Sequence, residues 1–150
     1  MTSFQVETAR GSFLIPRFEN ATVADVMRHG VITCTPDTPL RTIARMMSGY
    51  HVHAIVVTED DGEGGVEPWG LVSDIDLLGV VHEGCEELTA GQVSRTPAVM
   101  VAPGDSLAHA AKLMRDNSTG HLVVLAPDDS RPLGVVSTLD VAGALAWGEA

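Results

Sequence analysis

The sequence contains one short stretch twice, Gly70-Leu71-Val72-Ser73-Asp74-Ile75-Asp76 and Gly134-Val135-Val136-Ser137-Thr138-Leu139-Asp140. In each copy an apolar run leads into a Ser, and an Asp follows three residues later. This spacing is typical of a capping box, in which the Ser side chain accepts a hydrogen bond from the first turn of a helix and the acid accepts one from the N–H of the Ser. Each stretch is therefore predicted to be a buried strand that ends where a helix begins.

The similarity between the two halves of the chain extends well beyond these stretches. Placing Pro36 on Pro103 aligns the chain with itself at a shift of 67 residues, and after the loop at 58–69 the shift becomes 64. That loop is acidic and rich in glycine, which predicts a solvated hairpin tip. The alignment divides the chain into a lead-in at 1–20, a first repeat at 21–83, a connector at 84–88 and a second repeat at 89–150.

Within each repeat, the apolar pattern predicts the order strand, helix, strand, strand, helix. Short strands are expected at 31–34 and 98–101. The helices that follow are expected to have their caps at Thr38 and Asp105, and their apolar residues recur at i, i+3, i+4 and i+7, as on one face of an amphipathic helix. Because one such unit is too small to bury its own sheet, we expect an α+β fold in which two β-α-β-β-α repeats pack face to face with pseudo-two-fold symmetry.

The composition argues against several kinds of partner. The 150 residues carry a formal net charge of −11 and a single lysine, Lys112. Binding of a nucleic-acid duplex or of an anionic membrane surface needs a basic face, so we expect neither partner. No run approaches the roughly 18 apolar residues of a membrane helix, and residues 1–19 lack the apolar segment of a signal peptide. A cytoplasmic protein is therefore expected.

Signatures of catalysis and of metal binding are weak in this sequence. It has neither a nucleophile paired with a base nor a glycine-rich phosphate loop, so we expect no enzyme activity. His51 and His53 alternate along the chain as two metal ligands would, but two imidazoles alone make a weak site and no metal is expected. One hypothesis, kept beside those given below, is a metal- or redox-responsive protein that uses these histidines and Cys85. Cys34 lies in an apolar strand and is expected to be buried.

The repeated order of elements, which closes each time in Gly-apolar-apolar-Ser-x-x-Asp, resembles the cystathionine-beta-synthase (CBS) domain, which usually occurs as a tandem pair. The resemblance covers roughly residues 21–146 and includes the opening Thr22-Val23-Ala24-Asp25-Val26-Met27. It implies clefts between the repeats that take adenosine-type ligands such as AMP, ADP, ATP or S-adenosylmethionine. It also implies a regulatory module, a homodimer formed through helical faces, and a regulated protein that the sequence does not name.

The resemblance further implies which residues contact the ligand. Ser73 and Ser137 would face a phosphate, and Asp76 and Asp140 would hold the ribose hydroxyls. A helix N-terminus suits a phosphate and a carboxylate suits a diol. Adenine contacts would come from the first strand of each repeat and from the strand after its first helix. These residues are Thr33, Cys34, His53 and Ala54 in one repeat, and Val99, Met100, Gly120 and His121 in the other.

The two motifs differ at the residue after the Ser. Asp74 adds a negative charge near the first expected phosphate position, whereas Thr138 is neutral in the second. The second motif is therefore the better candidate for a phosphate contact. AMP, or a ligand without a phosphate chain, suits this acidic chain better than ATP, unless arginines such as Arg41, Arg45 or Arg115 face inward.

The alternative reading is a ligand-free interaction or dimerisation module with degenerate clefts, in which both motifs are only helix caps. Apolar residues near the second helix of each repeat are expected to be exposed and to form a self-complementary patch. They are Leu77, Leu78 and Val81 in the first repeat and Leu145 and Trp147 in the second.

Overall fold

The computed structural model describes residues 15–82 and 84–149, so most of the predicted lead-in lies outside the described part of the chain. The described strands are β1 (Arg28–His29), β2 (Thr33–Cys34), β3 (Ala54–Asp60), β4 (Val66–Ser73), β5 (Met100–Val101), β6 (His121–Leu125) and β7 (Pro132–Ser137). The α-helices are α1 (Val23–Val26), α2 (Leu40–Tyr50), α3 (Asp74–Leu78), α4 (Ala90–Val93), α5 (Leu107–Asp116) and α6 (Thr138–Trp147). None of the described helices is long and apolar enough to cross a membrane.

The strands form two sheets, in the orders β2-β3-β4 and β1-β7-β6-β5. In each sheet a short parallel strand precedes an antiparallel hairpin. Thr33 of β2 lies opposite Val56 of β3, and Met100 of β5 lies opposite Val123 of β6 at the equivalent position. The hairpins β3-β4 and β6-β7 complete the sheets. The α+β fold with two equivalent repeats is confirmed.

Each sheet also receives a segment from the other repeat. β1, at the start of the first repeat, pairs antiparallel with β7 of the second, and Arg28 lies opposite Val135. In the same way Arg95, at the start of the second repeat, lies opposite Leu71 of β4, and its N–H donates to the Leu71 carbonyl at 2.9 Å. The crossing segments therefore tie the two repeats together by backbone hydrogen bonds.

The short helices before the crossing segments are exchanged as well. Val23 of α1 is fully buried in the core of the second repeat, and Ala90 of α4 is fully buried in the core of the first. The Val23 N–H donates to the Asp105 carbonyl at 2.9 Å, and the Ala90 N–H donates to the Thr38 carbonyl at 2.8 Å. Each repeat is thus completed by the leading helix of the other.

The glycine that opens each motif is required by this exchange. A Cβ at Gly134 would overlap the carbonyl oxygen of Arg28, and a Cβ at Gly70 would lie 2.8 Å from the carbonyl oxygen of Arg95. Any side chain would displace the crossing segment from the strand. The repeated Gly therefore has a packing role that the local sequence does not reveal.

A separate apolar cluster joins the two sheets. Val56 and Leu71 from one sheet pack with Val123 from the other and with Ala98, and all four are at most 6% exposed. Burial of such side chains contributes roughly 1.5–3 kcal/mol for a Val or Leu. The predicted face-to-face packing of the repeats is confirmed by this cluster.

The predicted caps of α2 and α5 are wrong by one residue. α5 begins after Ser106, whose hydroxyl accepts a hydrogen bond from the first turn. Asp105 instead accepts from the Ala102 N–H at 2.9 Å and closes the preceding turn. Thr38 similarly accepts from the Thr35 N–H at 3.2 Å, and α2 begins two residues later. Competition from these turns displaces the caps, since short polar side chains bond whichever N–H lies nearest.

The strand bounds also differ from the sequence predictions. β2 and β5 cover only the second half of the expected short strands. β3 and β4 extend into the predicted loop, where Thr58 lies opposite Pro68, so the hairpin tip shrinks to residues 61–65. Cross-strand pairing of the hairpin overrides the low strand propensity of its acidic residues.

Most of the apolar residues predicted to be exposed are exposed. Leu78, Val81, Leu145 and Trp147 expose 64–71% of their surface. Leu77 is the exception, because it packs against the core of the first repeat. Cys34 is buried, as predicted.

Candidate functional site: two clefts between the repeats

Both Ser-x-x-Asp motifs form the predicted capping boxes. The Ser73 N–H and Oγ donate to Asp76 Oδ2 at 2.8 and 3.0 Å, and the Ser137 N–H and Oγ donate to Asp140 Oδ2 at 2.8 and 3.2 Å. The caps at the start of α3 and α6 thus use one carboxylate oxygen, Oδ2, of each Asp. The second oxygen, Oδ1, is not used by the cap.

Two clefts lie beside these caps. We name the cleft of about 350 Å³ that contains Asp76 the Asp76 cleft, and the cleft of about 380 Å³ that contains Asp140 the Asp140 cleft. Both volumes lie near the lower end of the range of roughly 300–1,000 Å³ found for small-molecule sites.

Each cleft combines the motif of one repeat with strand ends of the other. The Asp140 cleft brings Ser137 and Asp140 of the second repeat together with residues 28–32 and 50–54 of the first. The Asp76 cleft brings residues 73–76 of the first repeat together with residues 118–121 of the second. Because β1 crosses onto β7, the motif of each repeat faces mainly the strand ends of the partner repeat.

The structure brings some of the predicted adenine contacts to the clefts. His53 and Ala54 line the Asp140 cleft, and Gly120 and His121 line the Asp76 cleft. Four predicted residues line neither cleft: Thr33, Cys34, Val99 and Met100. In the first repeat, residues 30–32, which come just before β2, line the cleft instead.

The apolar wall of the Asp140 cleft has no counterpart at the equivalent positions of the Asp76 cleft, whose apolar lining residues are Ile75 and Leu139. Val31, Ile32, Val52 and Ala54 line the former, with Tyr50 beside them. The positions equivalent to 51–53 in the Asp76 cleft are Ser118, Thr119 and Gly120. A flat aromatic base gains more from the apolar wall, because its faces are desolvated there against carbon atoms.

Two backbone positions that sequence reasoning missed help to shape these walls. His51 follows α2 and Ser118 follows α5, both in the left-handed region, with φ angles of 55° and 50°. Each residue turns the chain from its helix into a cleft. Neither is a glycine, so nothing in the sequence signals the turn.

Two arginines that the sequence analysis did not select also lie in the clefts. Arg95 lines the Asp76 cleft, where its Nε lies 3.7 Å from Asp76 Oδ1, and Arg28 lines the Asp140 cleft. They are equivalent at the shift of 67 residues, which is the sequence signal that was available. The Arg95 guanidinium also donates to the Asn117 carbonyl at 3.1 Å.

The two clefts meet at a common wall. His53, His121, Ser137 and Leu139 line both of them. His53 Nδ1 lies 2.9 Å from Asp74 Oδ2, so the extra carboxylate noted in the first motif is paired with a histidine at this wall. Within the described residues no group of three or more His, Cys, Asp or Glu side chains is arranged to hold a metal ion.

Burial shifts two of the ionisable groups at this wall. Burial raises the pKa of Asp140, although its hydrogen bonds from Ser137 act in the opposite direction. Burial also lowers the pKa of His121, and the Asp74 carboxylate partly offsets that effect. Both shifts disfavour the charged form, since desolvation penalises charge.

A family model of the CBS domain matches residues 23–83 and again residues 90–146. The chain belongs to the CBS-domain family. The predicted family is thereby confirmed, and the two matches make this chain a CBS pair. The exchanged helices α1 and α4 stand at the start of the two matched segments.

Two curated relatives resemble this CBS pair over most of its length. The chain is 27% identical to the uncharacterized protein MJ1404 of Methanocaldococcus jannaschii and 26% identical to the uncharacterized protein MK0525 of Methanopyrus kandleri, in each case over 81% of its length. It spans 43% and 61% of the lengths of these relatives.

Solved structures share the fold of this CBS pair. The CBS-domain protein ATU1752 of Agrobacterium tumefaciens has a TM-score of 0.71 and 22% identity, over 82% of this chain and 92% of that one. The CBS pair of protein MJ0100, solved with 5′-methylthioadenosine and S-adenosyl-L-methionine, has a TM-score of 0.70 and 15% identity, over 81% and 93%. The CBS domain of a bacterial CNNM/CorC Mg²⁺ transporter, solved with ATP, has a TM-score of 0.70 and 15% identity, over 88% and 92%. At these identities the likeness concerns the fold alone.

Proposed function

We propose that this CBS pair is a regulatory module, without catalysis of its own, that binds an adenosine-containing ligand in the Asp140 cleft and reports its presence to a partner protein. One observation carries the proposal. The Asp140 carboxylate keeps Oδ1 outside its capping box and shares a cleft of about 380 Å³ with the apolar wall that starts at Val31. AMP is the preferred candidate ligand within the group that includes ADP, ATP and S-adenosylmethionine.

Within this proposal the ribose and the base bind at opposite sides of the cleft. Asp140 accepts hydrogen bonds from the two ribose hydroxyls, as a carboxylate has about four lone-pair sites and the cap uses only part of them. The base lies on Val31, Ile32, Val52 and Ala54. Residues 30–32 and 52–54 also offer backbone groups to its polar edge, as the family resemblance implies for the strand ends.

The phosphate is assigned to the start of α6. Ser137 caps this ten-residue helix, and the partial positive charge at a helix N-terminus favours an anion. The residue after Ser137 is the neutral Thr138 and the residue after Ser73 is Asp74, and both of them line the Asp76 cleft. The Asp74 carboxylate therefore disfavours a phosphate in the Asp76 cleft. We therefore propose the Asp140 cleft as the main site. The complexes of MJ0100 and of the CNNM/CorC transporter support an adenosine-type ligand in this fold.

The test is a calorimetric and thermal-shift panel of adenosine, AMP, ADP, ATP and S-adenosylmethionine on the wild type and on two matched variants. Asp140→Asn keeps one carbonyl oxygen for the cap and removes the second carboxylate oxygen. We expect it to weaken binding by roughly tenfold or more, about 1.4 kcal/mol, because a charge-assisted bond to the diol is lost. Asp76→Asn, the equivalent change in the other cleft, is the control and should weaken binding less.

The outcome that would contradict the proposal is absence of a heat and of a thermal shift with every ligand of the panel. Equal losses for Asp140→Asn and Asp76→Asn would contradict the choice of cleft. A ligand that binds the folded state raises the free energy of unfolding by about 2.7 kcal/mol at a hundredfold excess over Kd, and the melting temperature rises with it. The absence of a thermal shift at that concentration therefore shows that the ligand does not bind.

A second candidate function is an interaction module that forms a homodimer through its helices. Exposed apolar residues favour it: Ile75, Leu78 and Val81 on one repeat and Leu139, Leu145 and Trp147 on the other are 64–74% exposed. Light scattering coupled to size exclusion measures the mass directly. Trp147→Glu should shift a dimer toward the monomer, while Val66→Glu, at an exposed apolar residue on the hairpin, is the control. A monomeric wild type would contradict this candidate.

A further inference from the structure

The Asp140 cleft contains most of the histidines of the chain. His29, His51, His53 and His121 line it, out of six histidines in the whole sequence. They come from four separate places in the fold: the end of β1, the left-handed residue after α2, the residue before β3 and the start of β6. The fold, not a local run of sequence, therefore gathers these four side chains.

The fixed charges of this cleft do not favour an anion. Among the described residues that line it, only Arg28 and Asp140 carry fixed charges, and these two charges are opposite. The whole chain carries a formal net charge of −11 and one lysine, which lies elsewhere on α5. A phosphate bound beside Ser137 thus needs further positive charge, and the histidines are the groups in the cleft that can acquire it near neutral pH.

The charged and titratable groups that face the histidines come from several elements. They are Arg28 of β1, Tyr50 of α2, Asp74 and Asp76 of α3, Arg95 of the segment that crosses onto β4, and Asp140 of the first turn of α6. Asp74 Oδ2 lies 2.9 Å from His53 Nδ1, so His53 already has a carboxylate partner. His29, His51 and His121 remain to balance a ligand. A metal reading is not supported, since the described side chains contain no three-ligand group.

We propose that the histidines of the Asp140 cleft, His121 foremost, neutralise the phosphate of the ligand, so that a nucleotide binds with uptake of a proton while the nucleoside does not. His121 is placed for this because it lies at the start of β6 opposite Ser137, the proposed phosphate contact. In the ligand-free cleft burial lowers the pKa of His121 and so favours the neutral ring. A phosphate dianion next to the ring reverses that preference. The inference rests on the proposed function and adds that this site selects phosphate-bearing ligands in a pH-dependent way.

The experiment compares AMP with adenosine by calorimetry between pH 7.0 and 8.5, in two buffers of different ionisation enthalpy. In this range the phosphate, whose second pKa is about 6, stays mostly dianionic, so the pH dependence reports the protein. We expect the affinity for AMP to rise by roughly three- to tenfold for each unit by which the pH is lowered, where tenfold is the limit for uptake of one proton. The measured heat of binding should also differ between the two buffers, because the buffer supplies that proton. The affinity for adenosine should change less than twofold.

Two variants and one control assign the proton. His121→Gln should remove most of the proton uptake with AMP and should weaken AMP more than adenosine, so that the ratio of the two affinities falls. A urea unfolding curve as cooperative as that of the wild type shows that the variant is folded. His51→Asn, chosen because Asn tolerates a left-handed backbone, should remove a smaller part. His109→Gln changes an exposed histidine of α5 outside both clefts and should change nothing.

The outcomes separate the two proposals. AMP binding without proton uptake, or with the same pH dependence as adenosine, overturns this inference alone and leaves the proposed function standing. Full proton uptake in His121→Gln overturns the role of His121. Failure of both AMP and adenosine to bind at every pH overturns the proposed function and this inference with it.

Discussion

Arg28 lies directly opposite Val135 in an antiparallel pair, although Arg28 opens the first repeat and Val135 belongs to the last strand of the second. The equivalent pair, Arg95 with Leu71, makes the exchange mutual. This relationship explains two features at once. It requires the glycine at the start of each motif, and it carries an arginine into each cleft. Arg28 also brings residues 29–32 into the Asp140 cleft.

The crossing predicts that Gly134 tolerates no side chain. Gly134→Ala should destabilise the protein by about 1–3 kcal/mol, as overpacking does, because the new Cβ meets the Arg28 carbonyl oxygen. Urea unfolding measures the change. Gly49→Ala is the matched control: Gly49 lies within α2 with open space around its Cβ position, and the change should stabilise by about 0.5–1 kcal/mol. If Gly134→Ala left the free energy of unfolding unchanged, β1 would not be packed closely against β7.

The capping boxes predict a separation between stability and binding. Ser73→Ala and Ser137→Ala should each lower the free energy of unfolding by about 1 kcal/mol, the usual value of an N-cap. Only Ser137→Ala should also weaken AMP binding, measured by calorimetry. Ser106→Ala removes the cap of α5, away from both clefts, and should lower stability with AMP binding unchanged. Equal effects of the two motif serines on binding would argue against the Asp140 cleft as the main site.

The buried ionisable groups at the common wall of the two clefts predict that stability depends on pH. Because the folded pKa of His121 is lowered by burial, the unfolded chain binds this proton more readily, and stability falls as pH drops below the ordinary histidine pKa of about 6.5. The raised pKa of Asp140 acts oppositely, since its ionised form is disfavoured in the fold and this cost grows as pH rises above about 4. We expect the free energy of unfolding in urea to differ less between pH 5.5 and pH 7.5 in His121→Gln than in the wild type. An unchanged difference would place the titrating group elsewhere.

The two cysteines should differ in reactivity. Burial raises the pKa of the Cys34 thiol to about 11, and the side chain is buried, so at pH 8 only about one molecule in a thousand carries the reactive thiolate. Ellman's reagent should label half-buried Cys85 first and Cys34 only on unfolding. The Cys85→Ser variant isolates the slow site. Rapid labelling of Cys85→Ser in the folded state would contradict the burial of Cys34.

Those features that depend on neighbouring residues could be predicted from the sequence. The capping boxes at Ser73 and Ser137 follow from a spacing of three residues, and the apolar faces of α2 and α5 follow from the helical period. The repeat itself, and with it the α+β pair, follows from the alignment of the chain on itself. These are local or periodic properties, so one chain is enough to show them.

Only the tertiary structure decided which parts of the repeats meet. The exchange of α1 and α4, the crossing of Arg28 onto β7 and the gathering of four histidines in the Asp140 cleft all depend on contacts between distant segments. The same contacts brought residues 30–32 to the cleft in place of Thr33 and Cys34. Burial of apolar surface between the repeats determines these pairings. The hydrophobic effect is non-directional, so a local sequence pattern does not show which distant segments will meet. The sequence thus predicted that both motifs cap helices. The difference between the two clefts depends on the residues that the partner repeat contributes to each.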